Sequence, residues 1–350
     1  MKLPLPLSYA PMEARTSETI PDGPGWQYEP KWDGFRALAF RDGDEVALRS
    51  KSGQAFERYF PEIVTALHAL TDQRFVLDGE LVVTSGGALS FDALLQRVHP
   101  AASRVMRLAQ ETPATYLLFD LLADENGESL AEEPLRLRRA ALERFAARNL
   151  GTDAAAGRLV LSPASADRSA VDRWLGGVGG ALDGIVAKRL DLPYRSGARD
   201  GMVKIKRIRS ADCVVGGYRL SSGDPSRLGS LLLGLYDESG ALDYIGHVSA
   251  FGRDERAALV QRLEMLAAPS PFTGRSPGGP SRWNAGASTQ WYPVRPELVI
   301  EVAYDQVTNG RIRHGARFLR WRPEKAPRDC TTDQLRVTAD YGLPVPPAAP

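Results

Sequence analysis

The stretch Lys31-Trp32-Asp33-Gly34-Phe35-Arg36 decides how the rest of the chain is read, because it sets a lysine amine beside a carboxylate, a glycine and an arginine. Upstream, Trp26-Gln27-Tyr28-Glu29-Pro30 reads as extended chain, which puts Glu29 and Lys31 on one face. Asp33-Gly34 reads as a tight turn in which glycine supplies backbone freedom. A lysine at such a bend projects its amine into a pocket, with Arg36 close enough to grip an anion. An exposed hairpin would explain these six residues equally well, so the decision rests on what lies downstream.

Residues 26–205 alternate short β-type runs with helical patterns. Strands are expected at Ala37–Phe40, Val46–Arg49, Arg74–Val83, Ala114–Leu121, Gly184–Lys188 and Met202–Ile208. Helices are expected at Pro61–Leu70, where Ile63, Leu67 and Leu70 form one stripe, and at Leu135–Ala147. Within Val76–Val83, Asp78 and Glu80 share one face while Leu77, Leu81 and Val83 share the other. Lys204 and Lys206 likewise oppose Val203 and Ile205. Both runs suit a sheet with one polar wall and one buried wall.

Past Arg209 the texture changes to short strands at Val214–Tyr218, Leu231–Tyr236, Asp243–Val248 and Leu298–Tyr304, with one helix near Asp254–Ala267. Gly, Ser and Asp turns separate them, which is the pattern of a small β-barrel of the oligonucleotide-binding type. Pro269–Ser288 reads as a loop and Pro344–Pro350 as a disordered tail. The expected division is therefore a first domain over 1–208, a second over 209–343 and a tail over 344–350.

Composition sets wide bounds. The chain has 350 residues, 43% hydrophobic and 25% charged, which is ordinary for a soluble protein with two domains. Lys+Arg 44 against Asp+Glu 43 leaves a net charge of +1, so a nucleic-acid surface has to come from local segregation of charge. No run approaches the roughly 20 apolar residues of a membrane helix. Met1–Pro6 lacks the apolar core of a signal peptide. Cys213 and Cys330 stand apart without a paired-cysteine motif and read as two reduced thiols of a cytoplasmic protein. Gly176-Gly177-Val178-Gly179-Gly180 fits neither phosphate-loop spacing and reads as a flexible connection.

Six pieces line up in order: Lys31-Trp-Asp-Gly-Phe-Arg36, Ser50-Lys-Ser-Gly53, Leu77-Asp-Gly-Glu-Leu81, Leu118-Phe-Asp-Leu121, Asp183-Gly-Ile-Val-Ala-Lys188 and Val203-Lys-Ile-Lys206. Together they resemble the covalent nucleotidyltransferases, the superfamily of ATP-dependent DNA ligases, RNA ligases and mRNA capping enzymes. The flanking segments, Pro11-Met12 and Arg317-Phe-Leu-Arg-Trp-Arg-Pro-Glu-Lys325, are most similar to small bacterial ATP-dependent DNA ligases of the LigC type and to the ligase module of LigD. The fold this resemblance implies is α+β: an adenylation domain of antiparallel sheets with flanking helices, then an OB-fold barrel.

The resemblance also implies roles. Lys31 would attack the α-phosphate of ATP, with Lys204 and Lys206 neutralising the charge that builds there. Glu29 would accept from the adenine amino group, Phe119 would stack on the base and Glu80, with Asp78 beside it, would meet the ribose. Asp183 and Glu80 would serve Mg²⁺, with Mn²⁺ as a substitute; Asp stands at position 183 where the family more often has Glu. Arg36, Lys51 and Lys188 would hold phosphate, Lys51 without the fork of an arginine. Arg322 and Lys325 would orient pyrophosphate, in a stretch with Arg311, Arg313, Arg317, Arg320 and Arg328 that only Glu324 opposes.

The expected activity is sealing of 5′-phosphate/3′-hydroxyl nicks in duplex DNA through lysyl-AMP and AMP-DNA. An RNA ligase or a guanylyl-transferring capping enzyme is the enzymatic alternative, and a silent nucleic-acid-binding module the non-enzymatic one. A monomer in the bacterial cytoplasm is expected, nucleoid-associated when acting, with nicked DNA and DNA-repair proteins as partners and no membrane.

Overall fold

The computed structural model describes residues 1–85, 88–150, 157–176, 182–206, 208–249, 255–278, 290–308, 310–313 and 315–335. The chain divides into two compact units, one running to Arg207 and one starting at Ile208. The first contains β1 (Trp26–Trp32), β2 (Phe35–Asp42), β3 (Glu45–Ser50), α1 (Pro61–His68), β4 (Arg74–Ser85), α2 (Phe91–Arg97) and α3 (Ala102–Glu111). It continues with β5 (Ala114–Ala123), α4 (Leu135–Asn149), β6 (Leu159–Leu161), α5 (Arg168–Gly176), β7 (Leu182–Arg189) and β8 (Met202–Ile205). The second contains β9 (Arg209–Leu220), β10 (Leu228–Tyr236), β11 (Leu242–Val248), α6 (Glu255–Glu264), β12 (Val299–Tyr304) and β13 (Arg317–Trp321). The strand expected over Met202–Ile208 stops at Ile205, and β9 starts at Arg209. Most of the glycine run after Gly176, part of the loop after Pro269 and the tail fall outside the described residues.

Two sheets build the first unit. One has the antiparallel order β8-β7-β1, with Arg15–Thr16 added parallel to β8. The other has the order β3-β2-β4-β5-β6, antiparallel except for the parallel pair β5–β6. Along β2, Ala37 and Ala39 face one apolar cluster while Leu38 and Phe40 face another. Each large apolar side chain so buried contributes about 1.5–3 kcal/mol. This sheet is thus apolar on one face and, at Leu38, Phe40 and Val76, on part of the other, so the polar wall expected along β4 is confined to Asp78 and Glu80. Asp78 is wholly buried, and its charge is met by a guanidinium rather than by water.

The β8-β7-β1 sheet does have the expected two walls. Tyr28, Trp32, Ile185, Ala187, Val203 and Ile205 pack with Val171 and Trp174 of α5. The opposite face carries the polar row described below.

The stretch from Lys31 to Arg36 does not form a hairpin. β1 and β2 belong to different sheets, and Asp33-Gly34 carries the chain from one to the other. A Cβ on Gly34 would lie 2.2 Å from the Leu81 carbonyl oxygen and 2.8 Å from Glu80 Cγ. Glycine is required there by close backbone approach, which corrects the reading from turn freedom.

The second unit has the antiparallel order β11-β10-β9-β12-β13. A parallel bridge between Val248 and Ala316 joins the end of β11 to the residue before β13, so the sheet curls into a partly closed barrel. Val214, Leu231, Leu233, Ile245, Ile300 and Val302 fill it. Cys213 and Cys330 are free thiols in the same core, and burial pushes both upward, Cys330 to about 11. Among the described residues no helix is long and apolar enough to cross a membrane.

Candidate active site

The polar face of the β8-β7-β1 sheet follows from strand pairing. Gln27, Glu29 and Lys31 alternate along β1 and lie opposite Lys188, Val186 and Gly184 of β7. Met202 and Lys204 of β8 continue the rows beyond Lys188 and Val186. This wall and the β2, β4 and β5 strands bound a cleft of about 210 Å³. Glu29, Lys31, Lys188 and Lys204 line it from one sheet, and Arg36, Glu80 and Phe119 from the other. Glu13 and Lys51 complete the rim.

Two strand irregularities place two of these groups. Lys31 pairs with Gly184 but Trp32 pairs with Leu182, so Asp183 is an extra residue in β7. Simple alternation would turn Asp183 to the α5 side with Ile185; the bulge re-aims it toward the lysines. Its Oδ2 lies 2.5 Å from Lys31 Nζ and 3.4 Å from Lys206 Nζ. Its Oδ1 is buried with no hydrogen-bond partner among the described residues. In the same way Leu118 pairs with Gly79 and Asp120 with Asp78, leaving Phe119 as the extra residue of β5. Phe119 is half-buried in the cleft wall rather than packed in the core with Leu117 and Leu121.

The charges are paired in ways that the sequence did not show. Arg36, read as an anion grip, gives its fork to Asp78 at 3.0 and 2.6 Å and lies 5.3 Å from the Phe119 ring centroid. The Tyr194 hydroxyl donates to Asp78 at 2.6 Å and accepts from the Met12 amide at 2.9 Å. Lys188, expected at a phosphate, lies 2.7 Å from Glu29 and 4.6 Å from the Phe119 centroid. Lys51 pairs with Glu13 at 3.0 Å, and Arg199 holds the same carboxylate. Glu13, Gln27 and Tyr194 were missed by sequence reading; only Gln27 carried a signal, its place in the β1 alternation.

Electrostatics differ along the cleft. Burial pushes the Glu80 carboxyl up to about 8, against the pull of Lys31 and Arg36. Burial, and then the Lys31 and Lys206 charges, lower Lys204. The described residues contain no cluster of three or more His, Cys, Asp or Glu side chains that would cage a metal. On the second unit, Arg322 binds Asp212 at 2.8 Å, Glu301 at 3.5 Å and Glu324 at 2.5 Å, and Arg320 binds Glu301 at 2.7 Å. Glu324 is therefore not alone in opposing the basic stretch, because strand pairing brings Glu301 opposite Arg320.

A lysine-lined cleft of this kind, joined in one chain to an OB-fold unit, is the architecture of a nucleotidyltransferase-type ligase. Comparison with known proteins gives the family. The ATP dependent DNA ligase domain matches residues 11–206, and the ATP dependent DNA ligase C terminal region matches residues 224–325. The chain belongs to the ATP-dependent DNA ligases. It is 45% identical to DNA ligase C1 of Mycolicibacterium smegmatis, over 98% of both chains. It is 42% identical to DNA ligase C of Mycobacterium tuberculosis, over 96% of both chains. A solved Lig E DNA ligase is similar in fold, with a TM-score of 0.53 and 16% identity over 89% of this chain and 99% of that one. The protein is an enzyme, and it uses ATP to seal nicks in DNA.

Proposed function

We propose that the cleft binds ATP with its base between Phe119 and Glu29, and that Lys31 is the residue that becomes adenylylated. The observation that carries this is that Lys31 lines one cleft with the half-buried Phe119 ring and with the cations Arg36, Lys51, Lys188 and Lys204. Lys31 gives up a proton to solvent, turns from Asp183 and attacks the α-phosphorus as the neutral amine; a P–N bond forms, the bond from the α-phosphorus to the oxygen bridging to the β-phosphate breaks, and pyrophosphate leaves. Lys204 and Lys206 neutralise the phosphoryl oxygens as charge builds. AMP then passes to the 5′-phosphate of the nick, and the 3′-hydroxyl displaces it to close the strand.

Glu80 suits the ribose. A carboxyl pushed up to about 8 is largely neutral near pH 7 and can donate a hydrogen bond to a sugar hydroxyl. That leaves the divalent cation to Asp183, whose buried Oδ1 has an acceptor site to give. Mg²⁺ keeps several waters and takes few protein ligands, so one carboxylate beside the phosphates fits it. Bound there, it would neutralise phosphate charge. Lys188 is assigned to the base end, where its partners lie, and Arg36 and Lys51 to the sugar and phosphates. Arg322 and Lys325 of the second unit are assigned to orienting pyrophosphate. The working form is read as a cytoplasmic monomer acting on nicked duplex DNA beside repair proteins, since repair leaves nicks to seal.

The test is covalent labelling from α-labelled ATP on a denaturing gel. Lys31→Ala loses the label while its circular-dichroism spectrum matches the parent. Normal labelling of that variant removes the assignment.

A further inference from the structure

Glu29 is held from two sides in a way that nucleotide joining does not itself require. Glu29 is 2% exposed. Gln27 Nε2 donates to Oε1 at 2.7 Å, and Lys188 Nζ lies 2.7 Å from Oε2. Gln27 and Lys188 are direct partners across β1 and β7, so the two donors flank Glu29 from adjacent strands. Gln27 is itself 6% exposed and does not line the cleft. A carboxylate is acceptor-only, with about four acceptor sites. With one site on each oxygen taken and the plane fixed, what it offers the cleft is a rigid acceptor.

We infer that Gln27 is a positioning residue for base selection: it locks Glu29 as an acceptor aimed at the 6-amino group of the nucleotide. This rests on the reading that places the base between Phe119 and Glu29. An amino group at the 6-position of a purine donates to such an acceptor. An oxo group there sets oxygen against carboxylate, and the fixed plane prevents the carboxylate from turning away. Lys188 alone would leave Glu29 with one anchor and freedom to swing. Selectivity then comes from the Gln27–Glu29–Lys188 clamp as a unit, and from Glu29 only while it is clamped.

The test compares the parent with Gln27→Met, which keeps the volume and removes the donor, so the fold is retained; a thermal melt monitors that. Covalent labelling is followed with α-labelled ATP and with purine riboside triphosphate, which lacks the 6-amino group. For the parent, removing the amino group raises the concentration for half-maximal labelling by about tenfold, the size of one hydrogen bond to a charged group. Gln27→Met raises it by about tenfold for ATP, adds little for purine riboside triphosphate and narrows the preference for ATP over GTP. Equal losses on both nucleotides would make Gln27 merely structural, and no loss would dismiss the clamp; both overturn the inference while leaving the site reading intact. A parent that labels equally well with both nucleotides overturns the base-end assignment itself, and the inference with it.

Discussion

Phe119 and Glu80 show how the surroundings of a single side chain set what it can do. Phe119 stands at a slip in strand pairing, so its ring lies in the cleft wall and adds little to the core. Phe119→Leu should therefore change thermal stability by less than about 1 kcal/mol. Loss of the π face should weaken ATP use in the labelling assay by about tenfold, the scale of base–aromatic stacking. A drop of several kcal/mol with ATP use intact would return Phe119 to the core. Glu80 makes a prediction about pH. Its carboxyl is raised from 4.5 to about 8, so between those values the folded state binds a proton that the unfolded state does not. Its contribution to stability is full below the unfolded value and is lost as pH rises through about 8. Glu80→Gln cannot ionise, so its stability relative to the parent should rise with pH across that window. Denaturant melts of nucleotide-free protein at both ends measure this; parallel curves would place the titration elsewhere.

At the scale of elements, the crossing between the two sheets is the strictest requirement. Gly34 has the Leu81 carbonyl where a Cβ would stand, and both are backbone, so neither can yield cheaply. Gly34→Ala should cost about 3 kcal/mol, the upper end for overpacking, and should depress labelling because β1 carries Lys31. Melting indistinguishable from the parent would show that the crossing has slack. Alternation read from the sequence found β2, β4, β5 and β7, because their apolar runs leave little choice of period. It failed at helix α3, where Val105 and Leu108 are the buried residues and Met106 is 53% exposed, too thin a stripe to see. Alternation could not have aimed Asp183 and Phe119, because both are extra residues in their strands and a period of two holds only where the pairing does not slip. The motif residues were legible by resemblance; the bulges that aim them were not.

Across the whole molecule the charges nearly cancel, with a formal net charge of +1, so no global field draws the protein to DNA. Affinity has to come from local cations, and in the barrel two arginines of the basic stretch are held in ion pairs. Glu301 on β12 takes Arg320 at 2.7 Å and lies 3.5 Å from Arg322, so one carboxylate engages two arginines of the basic stretch. The Arg320 hydrogen bond holds the Glu301 carboxyl below the usual range, which keeps it charged at neutral pH. Removing that charge leaves Arg322 on Asp212 and Glu324 and releases Arg320. Each phosphate neutralised by a freed cation releases counterions and adds about −0.9 to the slope of log affinity against log salt. The parent should bind nicked duplex modestly, and more tightly as salt is lowered. Glu301→Gln should bind more tightly at low salt and steepen that slope by about one phosphate contact, while the two curves converge at high salt. Titration of nicked duplex from low to physiological salt measures both. An unchanged slope would mean that Arg320 does not reach DNA even when freed, and salt-independent binding would mean that the grip is not electrostatic.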